Sequence, residues 1–533
     1  MALLHSFWYE EARKDFESIA QQDFRCDIAY WGIAMTYWSQ VAGDWPSNDD
    51  VKVARQALAK ARTPASSRER AYIKAIADFY GASGQPDFRT QAQGYSAAMM
   101  RIHEQYPDDQ EAAAFYGLSI LAAQPEDESK LAIRKQAAAV LEKLFAQNPN
   151  HPGAAHYLIH TYDRPQLAQL GLPDARQYAR IAPSSPHALH MPSHIFARLG
   201  LWQEDIDSNL ASIAGSDITM TKHMGGGAHQ FHAMDYLIYA YLQCGRESDA
   251  AQLIERMKQM PHKDDFVLWG TDWQLYQEAE ASAVYALELH HWSEAAALSP
   301  MPEAPLMAQV FPYWARAIGA GHLKNAAEAR RSAEQAEVIH QKMLDAKLYY
   351  FRESVENLVR EAEAWADYAD GKTKLAIETM WEVAEKEDTI GSERPAILIP
   401  ARELLADMLV DMKSPQRAII EYEATLKLNP NRFDSLYGAA WAAELSGNLQ
   451  KAKDYYRQLL TICKGAPSER PELIFARKAF YDSNLEKEQG PSVPFRPVQI
   501  MRSDGTRTRG LLRGRRSESV FRASAAVGPS PTS

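Results

Sequence analysis

Histidine is concentrated in one stretch of this 533-residue sequence. Nine of the sixteen histidines lie between residues 151 and 232. Two pairs are four residues apart, His156 with His160 and His190 with His194, and this spacing puts both rings of a pair on one helix face. Imidazole and carboxylate groups are common ligands of transition metals, and such a pair can supply two ligands of one ion. The spacing predicts a site for a divalent transition metal: zinc, iron or manganese.

The predicted site has a narrower and a wider set of residues. The metal hypothesis assigns five ligands: His156, His160, His190, His194 and His232. The predicted ligand-binding groove contains these five and also Asp163, His187, His229 and Asp235. Asp163 is the candidate for a further ligand or a general base, since a metal with an open position can turn bound water into a nucleophile. The stretch lacks the glutamate of the zinc-protease motif, so the sequence leaves open whether the protein is an enzyme.

Two other interpretations of the same residues stay open. Histidines and aspartates along a groove can bind a peptide, which would make a protein or peptide the partner. They can also hydrogen-bond one another as part of the structure. Pro192 complicates the geometry, because a proline inside a helix removes a backbone hydrogen bond. Either the helix kinks there, or it starts near Pro192 and leaves His187 and His190 in the preceding turn.

Helical repeats of 34 residues are predicted to position these side chains. Ala418 and Ala452 are 34 residues apart, and so are Pro152 and Pro186. This period, with small residues where two helices cross and a proline after the second helix, is typical of tetratricopeptide (TPR) helix pairs. Apolar residues recur at i, i+3, i+4 and i+7, and alternating strand-like runs are nearly absent. The sequence predicts an all-α fold, an α-solenoid or superhelix of roughly nine to eleven stacked TPR-like helix pairs.

The composition divides the chain into two predicted regions. Residues 1 to 485 are the predicted solenoid, and residues 486 to 533 are a predicted disordered tail rich in Arg, Ser, Gly and Pro. Residues 7 to 20 have the pattern of the second helix of a pair, which predicts a truncated first repeat. The Gly-rich residues 223 to 232 are predicted to form a flexible insertion beside the histidines.

Charge and composition limit the classes of partner. The formal net charge is −11, and because seven arginines follow Met501, the preceding body is more acidic still. An acidic body repels phosphate backbones, so nucleic acid is not expected as its partner. The sequence has no apolar run long enough for a transmembrane segment and no export signal, which predicts a cytoplasmic protein. A natural chain that begins further upstream would allow export to the periplasm.

Three stretches resemble a group of bacterial TPR proteins. They are HPGAAHYLIHTYDRP, IAPSSPHALHMPSHIFARLGLWQEDIDSN, and LIPARELLADML with the later NPNRFDSLYGAAWAAE. The similarity covers nearly all of residues 1 to 485. In such repeats one strip of each first helix faces the concave groove, and by this count three consecutive repeats contribute His156, His160 and Asp163, then His187, His190 and His194, then His232 and Asp235. The group has no firmly assigned activity, so the resemblance implies a scaffold whose groove binds a ligand, most simply a protein or peptide.

Overall fold

The structure, a computed structural model, describes most of the chain. The described residues are 1–38, 41, 46–62, 64–81, 88–124, 130–263, 266–268, 271–346, 348, 352–390 and 399–489. The predicted tail lies outside these residues from position 490 onward. Contacts between residues group Met1–Ser483 into one compact body. Within the described part, no helix is both long and apolar enough to cross a membrane.

Helices follow one another through the first half of the body. In chain order they are α1 (Ala2–His5), α2 (Tyr9–Gln22), α3 (Asp27–Met35), α4 (Asn48–Leu58), α5 (Ser67–Gly81), α6 (Phe88–Gln105), α7 (Gln110–Ala122), α8 (Lys130–Gln147), α9 (Pro152–Tyr162), α10 (Ala168–Ile181), α11 (Pro186–His190), α12 (Pro192–Leu199) and α13 (Trp202–Thr221).

The second half continues in the same way, with one break. Its helices are α14 (Gly227–Gln243), α15 (Glu247–Gln259), α16 (Trp273–Glu288), α17 (Trp292–Ala295), α18 (Val310–His322), α19 (Ala326–Asp345), α20 (Arg352–Ala369), α21 (Thr373–Ile390), α22 (Ala401–Asp411), α23 (Pro415–Leu428), α24 (Phe433–Leu445), α25 (Leu449–Ile462) and α26 (Pro471–Gln489). Two short antiparallel strands, β1 (Val267–Leu268) and β2 (Thr271–Asp272), precede α16. A 3-10 turn, Leu306–Gln309, precedes α18.

The helices stack as pairs, which confirms the predicted all-α solenoid. Most helices pack on their neighbours in sequence, and helices two apart, such as α14 with α16 and α16 with α18, also touch. Small residues lie where two helices cross. Gly117 faces the side chain of Leu141, and Gly438 faces the ring of Tyr422, so closely that a Cβ atom would clash in each case. The repeat pattern therefore reflects close helix packing.

Two segments near the histidines differ from simple expectation. Pro192 is the first residue of α12, a position where the missing N–H of proline removes no helical hydrogen bond. Of the two predicted alternatives, a kinked helix or a helix that starts near Pro192, the second is therefore correct. His187 and His190 lie on the short helix α11 rather than in a turn. The prediction of a flexible insertion over residues 223 to 232 is wrong beyond Gly226, because α14 begins at Gly227.

The first helix packs against a helix that is distant in sequence. The N-terminal segment, residues 2–8, consists of α1 and the turn after it, and α1 packs against α9. Leu4, Phe7 and Trp8 are buried there. Gly153 at the start of α9 permits this approach, because a Cβ atom at that position would lie 2.5 Å from Nδ1 of His5. The segment thus covers part of the surface that carries the histidines.

Candidate metal centre

Two groups of three histidines lie side by side. The first triad is His156, His160 and His187, and the second triad is His190, His194 and His232. Within each triad one ring nitrogen of every histidine lies within 4.8 Å of the others. Helix α9 supplies two members of the first triad, α12 and α14 supply two members of the second, and α11 contributes one histidine to each. Four helices therefore bring together residues that are far apart in sequence.

The first triad has the spacing of ligands around a single ion. Nε2 of His156 lies 3.1 Å from Nε2 of His160 and 3.1 Å from Nε2 of His187. Nδ1 of His156 lies 2.5 Å from the carbonyl oxygen of His5, which can only accept, so Nδ1 carries the proton and the neutral ring has a bare lone pair on Nε2. Two nitrogens at 2.0–2.1 Å from a tetrahedral ion are about 3.3 Å apart. One ion between these three nitrogens would use the Nε2 lone pair of His156, together with those of His160 and His187 in the tautomers that have the proton on Nδ1.

The second triad contains two lone pairs that face each other. Nδ1 of His190 donates to Oδ1 of Asn209 at 2.7 Å, and the Asn209 amide nitrogen donates to Asp205, which fixes the orientation of the amide. Nδ1 of His194 donates to Oδ2 of Asp163 at 2.9 Å. In the neutral rings both Nε2 atoms are therefore unprotonated, and they lie 3.0 Å apart. Because the two lone pairs repel, a proton or a metal ion must lie between them.

The two triads adjoin closely. The ring centroids of His160 and His194 are 6.1 Å apart, and those of His187 and His190 are 6.3 Å apart. The ring of His232 completes the second triad, with its centroid 4.5 Å from that of His190. The arrangement offers two neighbouring sites rather than one site with six ligands.

Burial keeps four of the six triad imidazoles in the form that binds metals. It lowers the pKa of His156 to about 3. It also lowers the pKa values of His160, His187 and His190 well below the ordinary histidine value, and nearby histidine charges lower them further. At neutral pH these rings are neutral and have a free lone pair.

Asp163 is already occupied by other partners. Its Oδ2 accepts from His194, and its Oδ1 accepts from Nε of Arg198 at 2.9 Å. Although burial opposes ionisation, the charge of Arg198 and the hydrogen bond from His194 hold the pKa of Asp163 well below its usual range. In this geometry Asp163 orients the ring of His194, and its predicted role as a metal ligand or base stays a prediction.

Two other predicted residues lie beside the triads. His229 has its ring centroid 4.7 Å from that of His187, and its ring hydrogen-bonds the main chain of Phe7. Asp235, one turn after His232 on α14, is buried and belongs to neither triad. The structure thus brings together the five predicted metal ligands and adds His187, which the metal hypothesis had placed only in the groove.

The N-terminal segment covers the first triad. The centroid of the Phe7 ring lies 4.4 Å from that of His156, 5.6 Å from that of His160 and 5.7 Å from that of His187. Nε1 of Trp8 donates to the carbonyl oxygen of Met224 at 2.8 Å, which ties the segment to the loop before α14. Sequence reasoning did not find this cover, because no periodicity relates Phe7 to residues about 150 positions away.

A third cluster resembles a metal site, but its ring nitrogens carry protons where a metal would bind. His5, Glu111 and His151 have ring nitrogens and a carboxylate oxygen within 4.8 Å of one another. Nδ1 of His151 accepts the backbone N–H of Ala154, so the proton of the neutral ring is on Nε2. Nε2 of His5 lies 2.6 Å from Glu111. Although burial raises the pKa of Glu111, the interaction with His5 lowers it overall, so the carboxylate is ionised and can only accept. Nε2 of His5 is therefore also protonated. Neither nitrogen that faces Glu111 has a lone pair for a metal.

Comparison with known proteins adds little to this picture. No protein-family model matches the chain, and no curated protein matches it. The human IFIT1 dimer with m7Gppp-AAAA is 13% identical over 85% of this chain and 95% of that one, with a TM-score of 0.36.

Two further solved structures are also distant. The TPR domain of P58(IPK) is 13% identical, and the match covers 72% of this chain and 100% of that one, with a TM-score of 0.22. The APC/C hetero-tetramer Cut9–Hcn1 is 9% identical, and the match covers 79% of this chain and 86% of that one, with a TM-score of 0.27. At these identities and scores the likeness supports no inference about a ligand or an activity.

Proposed function

We propose that this protein binds two transition-metal ions, one in each histidine triad. The observation that carries the proposal is the approach of imidazole Nε2 atoms to 3.0–3.1 Å of one another in both triads. Nitrogens that share protons in hydrogen bonds alternate between donors and acceptors. Here His156, His190 and His194 have their protons on Nδ1 and direct their lone pairs toward other imidazoles.

The partners of these rings also support a metal site. A histidine that binds a metal usually donates its other N–H to a carboxylate, a carbonyl or a similar acceptor, which fixes the ring. His156 has the carbonyl of His5, His190 has Asn209 and His194 has Asp163. The three acceptors lie on different elements, so the rings would stay in place without an ion.

The donor set narrows the choice of metal. Among the described residues, no carboxylate or thiolate joins either triad. Manganese prefers oxygen ligands, and iron sites with histidine usually include a carboxylate, whereas zinc and copper accept imidazole alone. Of the metals that the residue types suggest, zinc therefore fits better than iron or manganese.

A protein or peptide partner is the second candidate. The N-terminal segment lies along the histidines much as a bound peptide would, and His156 and His229 hydrogen-bond its main chain. Another chain could use these contacts only by displacing Leu4, Phe7 and Trp8, which are all buried. The metal proposal requires no such displacement, so it ranks first.

Metal analysis of the untagged full-length chain tests the proposal. The protein is stripped with chelator, titrated with Zn²⁺ or Co²⁺, and analysed for bound metal after gel filtration. We expect two equivalents for the unchanged chain, and one equivalent for either His156→Ala/His160→Ala or His190→Ala/His194→Ala. Tetrahedral Co²⁺ absorption would report binding by the imidazoles directly.

A matched double variant controls for the loss of two histidines. His262→Ala/His291→Ala removes two rings that are 54% and 42% exposed and lie outside both triads. This variant should keep two equivalents of metal. If the unchanged chain takes up neither ion, or if the triad variants retain both equivalents, the proposal is wrong.

A further inference from the structure

We infer that the two ions are copper and that the pair binds dioxygen between them. The inference rests on the proposed function and adds the identity of the metal and the chemical class of the ligand. Four features carry it: a donor set made only of imidazoles, the positive charge that two ions would bring into a largely buried place, the closeness of the two triads, and the aromatic surroundings of the site.

The donor set favours copper over the other imidazole-binding metals. For a given set of nitrogen ligands, affinity rises along the first-row divalent ions to a maximum at copper and falls again at zinc. Three imidazoles also satisfy copper(I), which accepts three-coordinate sites. The triads thus suit both oxidation states of copper without a change of ligands.

The cost of burying positive charge favours a metal that can be monovalent over one that is always divalent. Six neutral imidazoles do not offset the charge of two divalent ions, and the adjacent carboxylate of Asp163 is already paired with Arg198. A buried charge without a partner is costly. Two copper(I) ions carry two positive charges together. Two copper(II) ions bridged by peroxide carry the same net charge, so taking up dioxygen adds none to the buried site.

The triads lie close enough to share a small ligand. Ring centroids of the two triads are 6.1 and 6.3 Å apart at the closest pairs given above, and His187 and His190 are on the same short helix. Pairs of ions in proteins that share a bridging ligand are typically about 3.5–4 Å apart. Triads that adjoin in this way are candidates to hold two ions at such a separation, with a diatomic ligand between them.

The surroundings suit a small apolar molecule. Phe7 lies over the first triad, Tyr178 stacks on His156 with centroids 5.1 Å apart, and Tyr236 stacks on His194 at 4.7 Å. Four of the six triad histidines are buried, and His160 and His232 are partly exposed, so only a small part of each triad is open to solvent. Dioxygen is small and apolar, and it can pass between these aromatic side chains when they fluctuate.

The reaction balances without another reactant. Each copper(I) gives one electron to dioxygen, which becomes peroxide bound to both ions, and both coppers become copper(II). The O–O bond weakens but does not break, and no proton is taken up or released. Loss of dioxygen returns both electrons to copper.

The test uses the untagged full-length chain loaded with copper(I) under argon. Copper content is measured first, and two ions per chain are expected. On exposure to oxygen we expect uptake of one O₂ per two coppers and an intense near-ultraviolet peroxide-to-copper charge-transfer band. We also expect no copper(II) signal in electron paramagnetic resonance, because the two spins couple through the bridge. The O–O stretch in the resonance Raman spectrum should shift when ¹⁸O₂ replaces ¹⁶O₂.

Variants separate this inference from the proposed function. His156→Ala/His160→Ala should bind one copper, show no peroxide band, and give an ordinary copper(II) resonance after oxidation. His262→Ala/His291→Ala should behave like the unchanged chain. Two bound zinc ions without two bound coppers, or two coppers that oxidise to separate resonance-active ions, would overturn the inference but leave metal binding intact. A chain that binds neither metal would overturn both.

Discussion

At the scale of single residues, the ring nitrogen that carries the proton determines whether a histidine can bind a metal at this site. The nearest Nδ1 partner of His156, His190 and His194 is in each case an oxygen that can only accept, so in the neutral rings the Nε2 lone pairs are available. His151 has the opposite arrangement, because its Nδ1 caps α9. Spacing in the sequence predicted the paired rings on α9. It could not predict their tautomers, because the acceptors Asn209 and the His5 carbonyl come from distant parts of the chain.

Asp163→Asn should weaken the second triad and leave the first unchanged. The amide cannot offer His194 the charged acceptor that now orients its ring, and loss of such a partner typically lowers metal affinity about 10–100-fold. Competition titration with a chromophoric chelator would measure both sites in the same sample. Thermal unfolding would show any loss of stability from removing the ion pair between Asp163 and Arg198. Equal weakening of both triads, or of neither, would contradict the orienting role of Asp163.

At the scale of elements, the helical pattern predicted the solenoid, but not the helix ends that shape the site. The periodicity placed α9, α12 and α14 correctly as helices, because small and apolar residues mark their packing faces. The same pattern extended the loop after α13 too far, because glycines at 225 and 226 looked like a longer break. The docking of α1 left no periodic trace, since four helical residues are too few to show one.

Gly153→Ala should loosen the N-terminal segment. The new Cβ atom would meet the His5 ring, which cannot easily move because Glu111 and Tyr157 bind both of its nitrogens. Overpacking of this kind costs about 1–3 kcal/mol. Hydrogen exchange should increase in residues 2–9 more than in α9 itself.

Gly94→Ala on α6 is the matched control, because nothing lies within 4 Å of the added carbon. Alanine at this exposed helical position should raise the free energy of unfolding by about 0.5–1 kcal/mol. If Gly153→Ala also stabilises the protein, or if exchange in residues 2–9 does not change, the described contact between α1 and α9 is wrong.

At the scale of the whole body, a buried ion network joins helices that are remote in sequence. Arg432, just before α24, is fully buried and donates to Glu403 on α22 through Nε and Nη2 at 2.7 and 2.8 Å. Its Nη2 also lies 2.6 Å from Glu288 at the end of α16, and its Nη1 donates to Tyr239 on α14. The network thus fixes contacts beyond those between neighbouring pairs. The 34-residue repeat gave no sign of it, because repeats specify only contacts with the next pair.

Arg432→Met should lower the free energy of unfolding by about 3–5 kcal/mol, because it removes the guanidinium that forms ion pairs with the buried carboxylates of Glu288 and Glu403. Urea unfolding followed by circular dichroism would measure the change. Arg457→Met is the control, since its ion pair with Asp454 is on the surface and should contribute nothing measurable. Equal stability of both variants would show that the network does not hold the body together.

The position of Phe7 over the first triad has a consequence for biosynthesis. His5 and His156 are 151 residues apart, so the ribosome releases this segment long before it makes the surface that receives it. Until α9 and α14 have left the ribosome, the aromatic side chains of the N-terminal segment must stay exposed to water or bound to a chaperone. If the proposed metal centre exists, ions that bind before this segment docks would be covered by it afterwards, so nascent chains made in metal-depleted cells should mature with an empty centre that fills slowly.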